Sequence, residues 1–101
     1  MLLAGINIVS PVFNKNVFSF NVFPNPTSDI LNISLNLKNQ STLSYEIVDI
    51  TVKNIFSQEE IKMEKGAVNK EINISEIPNG IYVLRINVNG FNSSKKITIK
   101  H

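Results

Sequence analysis

Leu31, Ile33, Leu35 and Leu37 alternate with Asn32, Ser34 and Asn36. A strict period of two places every apolar side chain on one face of a strand and every polar one on the other. The same alternation recurs in Phe18, Phe20 and Val22, in Leu43, Tyr45 and Ile47, in Ile72 and Ile74, and in Ile97 and Ile99. Each run is short, and turn-forming residues separate it from the next. Ser57-Gln58-Glu59-Glu60 has the spacing of a helix capping box, but the Ile61, Met63 and Val68 that follow form no helical stripe. That segment reads as a strand or irregular edge, after a short strand around Ile55 and Phe56. Counted together, the runs give about seven short strands at the spacing typical of sandwiches. The expected fold is all-β: an antiparallel immunoglobulin-like β-sandwich.

Residues 75–86 organise that expectation. In Ser75-Glu76-Ile77-Pro78-Asn79-Gly80, Pro78 presets φ and Gly80 tolerates a positive φ where the chain is expected to reverse. Ile81 to Ile86 then run β-branched and aromatic, with only Arg85 charged, which fits a strand with both faces at least partly covered. It is the candidate central strand. Asn89-Gly90 follows as a hairpin signal, because both central residues of a type I′ turn need positive φ. The last strand sets Lys95, Lys96 and Lys100 around Ile97 and Ile99, and such charges suit an edge.

Phe23-Pro24-Asn25-Pro26-Thr27-Ser28-Asp29 is a different kind of punctuation. Neither proline can donate to a ladder, so the strand ending at Phe23 stops there. Proline also holds the residue before it extended, so Phe23 and Asn25 are expected in extended geometry at a rigid corner.

A chain of 101 residues is long enough to bury one core without a metal or a disulfide. It has no cysteine, which excludes disulfide frameworks, cysteine-based zinc sites and cysteine nucleophiles. Its net charge of +2 is too small to imply a nucleic-acid partner. The distribution is uneven, however: no acid follows Glu76, whereas Arg85, Lys95, Lys96 and Lys100 do. Met1 to Val9 is apolar but far below the ~20 residues that span a bilayer, and it lacks the flanks of a signal peptide. Residues 1–20 read as a linker or the leftover of a larger protein, and residues 21–101 as the domain.

Three blocks together carry a resemblance. Val22-Phe23-Pro24-Asn25-Pro26-Thr27-Ser28 resembles the (Y/F)-P-N-P-(T/A) signature that opens type A C-terminal sorting domains of the Por (type IX) secretion system. Ile77-Pro78-Asn79-Gly80-Ile81-Tyr82 is similar to that family's L-x-x-G-x-Y block, and Lys95-Lys96-Ile97-Thr98-Ile99-Lys100 to its basic terminal strand. The resemblance covers roughly residues 21–101. Its matching positions are Pro24, Asn25, Pro26, Gly80, Tyr82, Lys95, Lys96 and Lys100. There is one departure. The family usually has D-x-x-G after its third strand, and here the chain reads Asp49-Ile50-Thr51-Val52. A β-branched residue resists positive φ, so this turn is expected to take another shape.

What the resemblance implies is an address and not a chemistry. Such domains sit at the C-terminus of exported proteins of Gram-negative bacteria, recognised in the periplasm by an outer-membrane translocon. A sortase-like peptidase typically removes them upstream, here within the linker before Phe23, and the cargo reaches the cell surface or the medium. No cofactor is implied.

Taken singly, the marked residues have plainer readings. The prolines and Gly80 suit ordinary turns, Tyr82 a core residue with a bonded hydroxyl, and the lysines an edge guard. The terminal strand alone reads as a direct contact, as a charged edge that steers a partner or accepts an added strand. Catalysis has little support: Asp29, Glu46 and Asp49 lack a nucleophile–base partner, and His101 is expected to fray. The competing class is an immunoglobulin-like surface binding or adhesion module. Against it, the chain has no Trp, and its aromatics fall at positions that read as inward-facing.

Overall fold

Two antiparallel sheets, and no helix, make up the residues described in this computed structural model, 19–101. Residues 1–18 of the expected linker or leftover, with the apolar segment at Met1 to Val9 and Phe18, lie outside the described residues. In chain order the strands are β1 (Phe20–Phe23), β2 (Ile30–Leu37), β3 (Ser41–Asp49), β4 (Asn54–Met63), β5 (Gly66–Asn73), β6 (Gly80–Val88) and β7 (Phe91–Ile99). One sheet runs β1-β2-β5, the other β4-β3-β6-β7. The expected β-sandwich is the observed fold, and the run that begins at Ile81 is an interior strand, β6, between β3 and β7.

The period-two pattern dictates what is buried. Leu31, Ile33, Leu35 and Leu37 of β2 face Leu43 and Ile47 of β3, Leu84 and Ile86 of β6, and Ile97 and Ile99 of β7 in one contiguous core. Phe20, Val68, Ile72, Ile74, Tyr45, Tyr82 and Val88 complete it. Burying each such aliphatic side chain is worth about 1.5–3 kcal/mol. Apolar contact between the sheets therefore outweighs any polar contact on the surface. On the edge strand β5, Lys70 takes a half-buried inner-face position between Val68 and Ile72. An inward charge there discourages pairing with another chain.

β4 is longer than the short strand expected around Ile55 and Phe56. Its alternation is hidden in the sequence by a bulge. Leu43 faces Ile61, but Tyr45 faces Gln58, so one extra residue of β4 slips into the ladder and changes which side chains point inward. Phe56 then stacks near Tyr45, with ring centroids 6.3 Å apart, while Ile61 and Met63 take the inner positions beyond the bulge.

The β6–β7 hairpin forms as its turn residues require, with φ of 52° at Asn89 and 90° at Gly90. Asn89 also ties the hairpin to β3: its Oδ1 accepts from the Thr42 amide at 2.9 Å.

Candidate functional site

The three blocks marked in the sequence meet at one end of the sandwich. Residues 24–29 leave β1 and cross from the three-stranded sheet to the outer edge of β7 in the other. Both bonds to proline in this corner, Phe23–Pro24 and Asn25–Pro26, are cis. Phe23 is extended within β1, as expected, and its carbonyl accepts from Asn32 Nδ2.

Since Pro24 and Pro26 have no N–H, the corner attaches through the residues between and after them. Asn25 Oδ1 accepts from the Thr98 amide at 2.9 Å, and Asn25 Nδ2 reaches the Lys96 carbonyl at 3.4 Å. Thr27 is the first residue past the prolines with both backbone groups available. Its N–H donates to Thr98 O and its carbonyl accepts from Lys100 N, each at 2.9 Å, as a one-residue parallel bridge to Ile99. Thr27 is itself buried, with Oγ1 donating to the Ile30 carbonyl. The distal half of the β7 edge is therefore already occupied. An added strand of the kind the sequence suggested for the basic terminal strand therefore finds the edge at Thr98 and Lys100 already bonded to Thr27.

The second block lies beside the same strand end. Tyr82 is buried and its hydroxyl donates to the Pro78 carbonyl at 2.6 Å, closing the loop before β6. Gly80 does not make the expected reversal. Its φ of +159° is close to fully extended, and it opens β6 directly. The reversal is made earlier, where Asn73 Oδ1 accepts from the Ser75 amide and hydroxyl and Ile77 N donates to Ile74 O. Asparagine's short acceptor can fold the backbone two residues on, so no left-handed glycine is needed.

The chain's last residue is also held, against the expectation that it frays. His101 N donates to Asn79 Oδ1 at 2.9 Å, and its Nε2 lies 2.7 Å from the Ile77 carbonyl. The last strand is thus fastened on one side by Asn25 and Thr27 and at its end by Ile77 and Asn79. Sequence reasoning missed Thr98, Asn79 and His101 as members of this cluster. The only signal was that a corner with two prolines must find its partners through Asn25 and Thr27.

The Asp49 turn overturns another expectation. Val52 adopts φ of 66° despite its branched side chain. Asp49 explains why the left-handed shape survives. Its Oδ1 accepts from Thr51 Oγ1 at 2.6 Å, Thr51 N at 2.8 Å and Lys53 N at 3.0 Å, while Val52 N donates to Asp49 O. The Thr51 hydroxyl, then the Lys53 amide, hold the Asp49 carboxyl below the usual carboxylate range.

The lysines divide between two faces. Lys95 takes an inner-face position at the edge, with Nζ 5.5 Å from the centre of the Phe20 ring on the opposite sheet. Lys96 and Lys100 are exposed and alternate with the buried Ile97 and Ile99. Phe23 and Phe91 are also exposed, at 46% and 44%, so not every aromatic is inward as the sequence suggested. Among the described residues, no group of three or more His, Asp or Glu side chains is placed to hold a metal ion. Glu46 Oε2 instead accepts from both Nε and Nη2 of Arg85 on the outer face of the larger sheet.

The family model for the secretion system C-terminal sorting domain matches residues 21–100. No curated protein matches the chain. Three chains of solved structure do. One is dimeric latent PorU from Porphyromonas gingivalis, with a TM-score of 0.68 at 22% identity over 82% of this chain. At that identity the likeness is one of fold. The chain spans 9% of the length of PorU.

Proposed function

This chain belongs to the family of secretion system C-terminal sorting domains, and from that membership we propose that its folded end is the feature the type IX outer-membrane translocon reads. A sorting domain of this family is a type IX address for the cell surface or the medium. In this reading residues 21–101 form the address and residues 1–20 the linker to a cargo protein ahead of it. A sortase-like peptidase then separates the two upstream of Phe23. Pairing of Phe20 to Phe23 with β2 supports a cut before β1, because a protease needs an unpaired, extended substrate.

The observation that carries the proposal is the bond from Thr98 to Asn25. It fastens the P-N-P corner to the terminal strand, so that Pro24, Asn25 and Pro26 are presented with Lys96 and Lys100 as one rigid surface. Tyr82 acts behind it by closing the loop that holds His101, with Gly80 opening β6 directly after that loop. Lys95 stands at the rim of the same strand. Recognition of shape suits a signal that must work on many cargoes, and fixed backbone corners give shape at low entropic cost.

A transplant tests this. The chain is fused behind a periplasmic signal peptide and a fluorescent reporter, in a bacterium that has the type IX system. In parallel the same fusion is made without Lys95 to His101. Reporter outside the cell for the first and in the periplasm for the second is the expected result. Periplasmic retention of both, with the domain folded, rejects the sorting reading and leaves the surface binding module.

A further inference from the structure

The outer face of the four-stranded sheet should be polar, because solvent covers it, and over most of its length it is. Ser44, Glu46, Ser57, Arg85 and Asn87 occupy it. Toward the corner end its character changes. Val48 is only 3% exposed yet is no member of the contiguous core between the sheets. It is paired with Val83, and Val83 in turn with Lys96. One row further on, Ile81 is paired with Thr98 and is 50% exposed. Asp49, the last residue of β3, lies opposite Tyr82, and Ile50, 78% exposed, follows it as the first residue of the turn at that end of the sheet. Ile55, also exposed, is the extra residue where the ladder slips between Phe56 and Asn54. Neighbouring strands lie about 4.8 Å apart, so Val48, Val83 and Ile81 form adjoining rows, with Ile50 in the turn beyond them and Ile55 at the bulge.

Cations predominate among the charges around the rows. Lys53, Lys96 and Lys100 are exposed beside them, and β6 and β7 contain no acid. Glu46, the nearest acid along the face, is paired with Arg85, and the Asp49 oxygen is held by its own turn. Exposed apolar surface with a polar rim marks an interaction site. We infer that the Ile50–Ile81 end of this face docks a protein surface with an apolar centre and a carboxylate-rich rim. This inference rests on the sorting reading and supplies the partner's chemistry: the complementary surface belongs to the export machinery. A protein partner is favoured over an anionic membrane because the rows lie on a sheet face and lack the Trp and Tyr of interfacial belts.

The test compares the exported reporter fusion with I50S/I81S, I50K and I50D variants of the same fusion. All are first checked by urea denaturation, which exposed positions leave unchanged. Expected is about tenfold less reporter outside the cell for I50S/I81S, the fold-change of one lost interface anchor. I50D is expected to be impaired more than I50K, since the partner's rim is acidic. Full export of folded I50S/I81S overturns the inference while leaving the sorting reading intact. No export of the unmodified fusion rejects the sorting reading and this inference with it. Two further results overturn it in favour of another occupant. One is cosedimentation with phosphatidylglycerol vesicles that I50S/I81S abolishes, pointing to a membrane. The other is a dimer in sedimentation equilibrium that the same variant dissolves, pointing to a second copy.

Discussion

Asn25 Oδ1 accepts the amide of Thr98 across 73 positions of sequence. That bond joins the first turn of the domain to its last strand, and it joins one sheet to the other outside the apolar core. Its two ends lie in separate signature blocks, which the Thr27 bonds to Thr98 and Lys100 join as well.

Replacing Asn25 with Ala removes the acceptor and leaves the Thr98 amide to water at an exposed edge. The expected loss is about 1 kcal/mol, the net worth of one such bond. Asn25→Asp keeps an acceptor for Thr98 and loses only the longer contact to the Lys96 carbonyl, so it is expected to lose less. Urea denaturation of the three proteins gives the order directly, with unchanged slopes showing that only stability has moved.

Val52 offers the opposite sign. A branched residue at φ of 66° sits where left-handed geometry costs about 1–2 kcal/mol. Val52 is 63% exposed and its side chain belongs to no core contact. Glycine relieves the strain, offset by about 0.5–1 kcal/mol of extra chain entropy. Val52→Gly is therefore expected to raise the urea midpoint, by up to about 1 kcal/mol in stability. A fall in midpoint shows that the Asp49 cage, and not the residue at 52, sets the turn's energy.

The Asp49 cage also has a pH signature. Its carboxyl is held low in the folded chain, first by the Thr51 hydroxyl and then by the Lys53 amide. A carboxyl depressed by folding contributes stability that is complete above its unfolded pKa, near 4. That contribution disappears as pH falls through the lower, folded value. The stability of the wild type is expected to drop between about pH 5 and pH 3 more steeply than that of Asp49→Asn, which has no carboxyl at 49 to protonate. Melting temperatures across that window check the difference, and parallel curves reject the role of Asp49.

What the sequence made legible followed local rules. The alternation in Leu31 to Leu37 specifies a strand and its buried face without knowledge of any neighbour, whereas the run from Ile81 specifies the strand but not that Ile81 and Arg85 lie exposed on its outer face. Asn89-Gly90 needs only its own φ preferences. What it hid depended on partners. Nothing in Val52 announces that Asp49 will receive three donors and force a left-handed turn. His101 was read as free because terminal residues usually are, yet Asn79 and the Ile77 carbonyl are within reach of it. The rows around Val48 and Ile81 appear only once β3, β6 and β7 are known to be adjacent. Strand order, and not strand identity, was the missing knowledge.

Tyr82 separates a structural role from a contacted one within the same motif. Its ring is buried and its hydroxyl donates to the Pro78 carbonyl at 2.6 Å, so its polar end already has a partner inside the domain. Tyr82→Phe removes that donor and leaves a half-buried carbonyl unsatisfied, which is expected to cost about 1–2 kcal/mol. If the tyrosine only holds the loop, the folded variant fused to the exported reporter leaves the cell at the wild-type level. Retention of a fully folded Tyr82→Phe fusion in the periplasm means instead that the hydroxyl is read by the partner, which requires the loop to open on docking. Burial of the ring makes export the expected result, because a side chain covered by its own sheet cannot be touched without that opening.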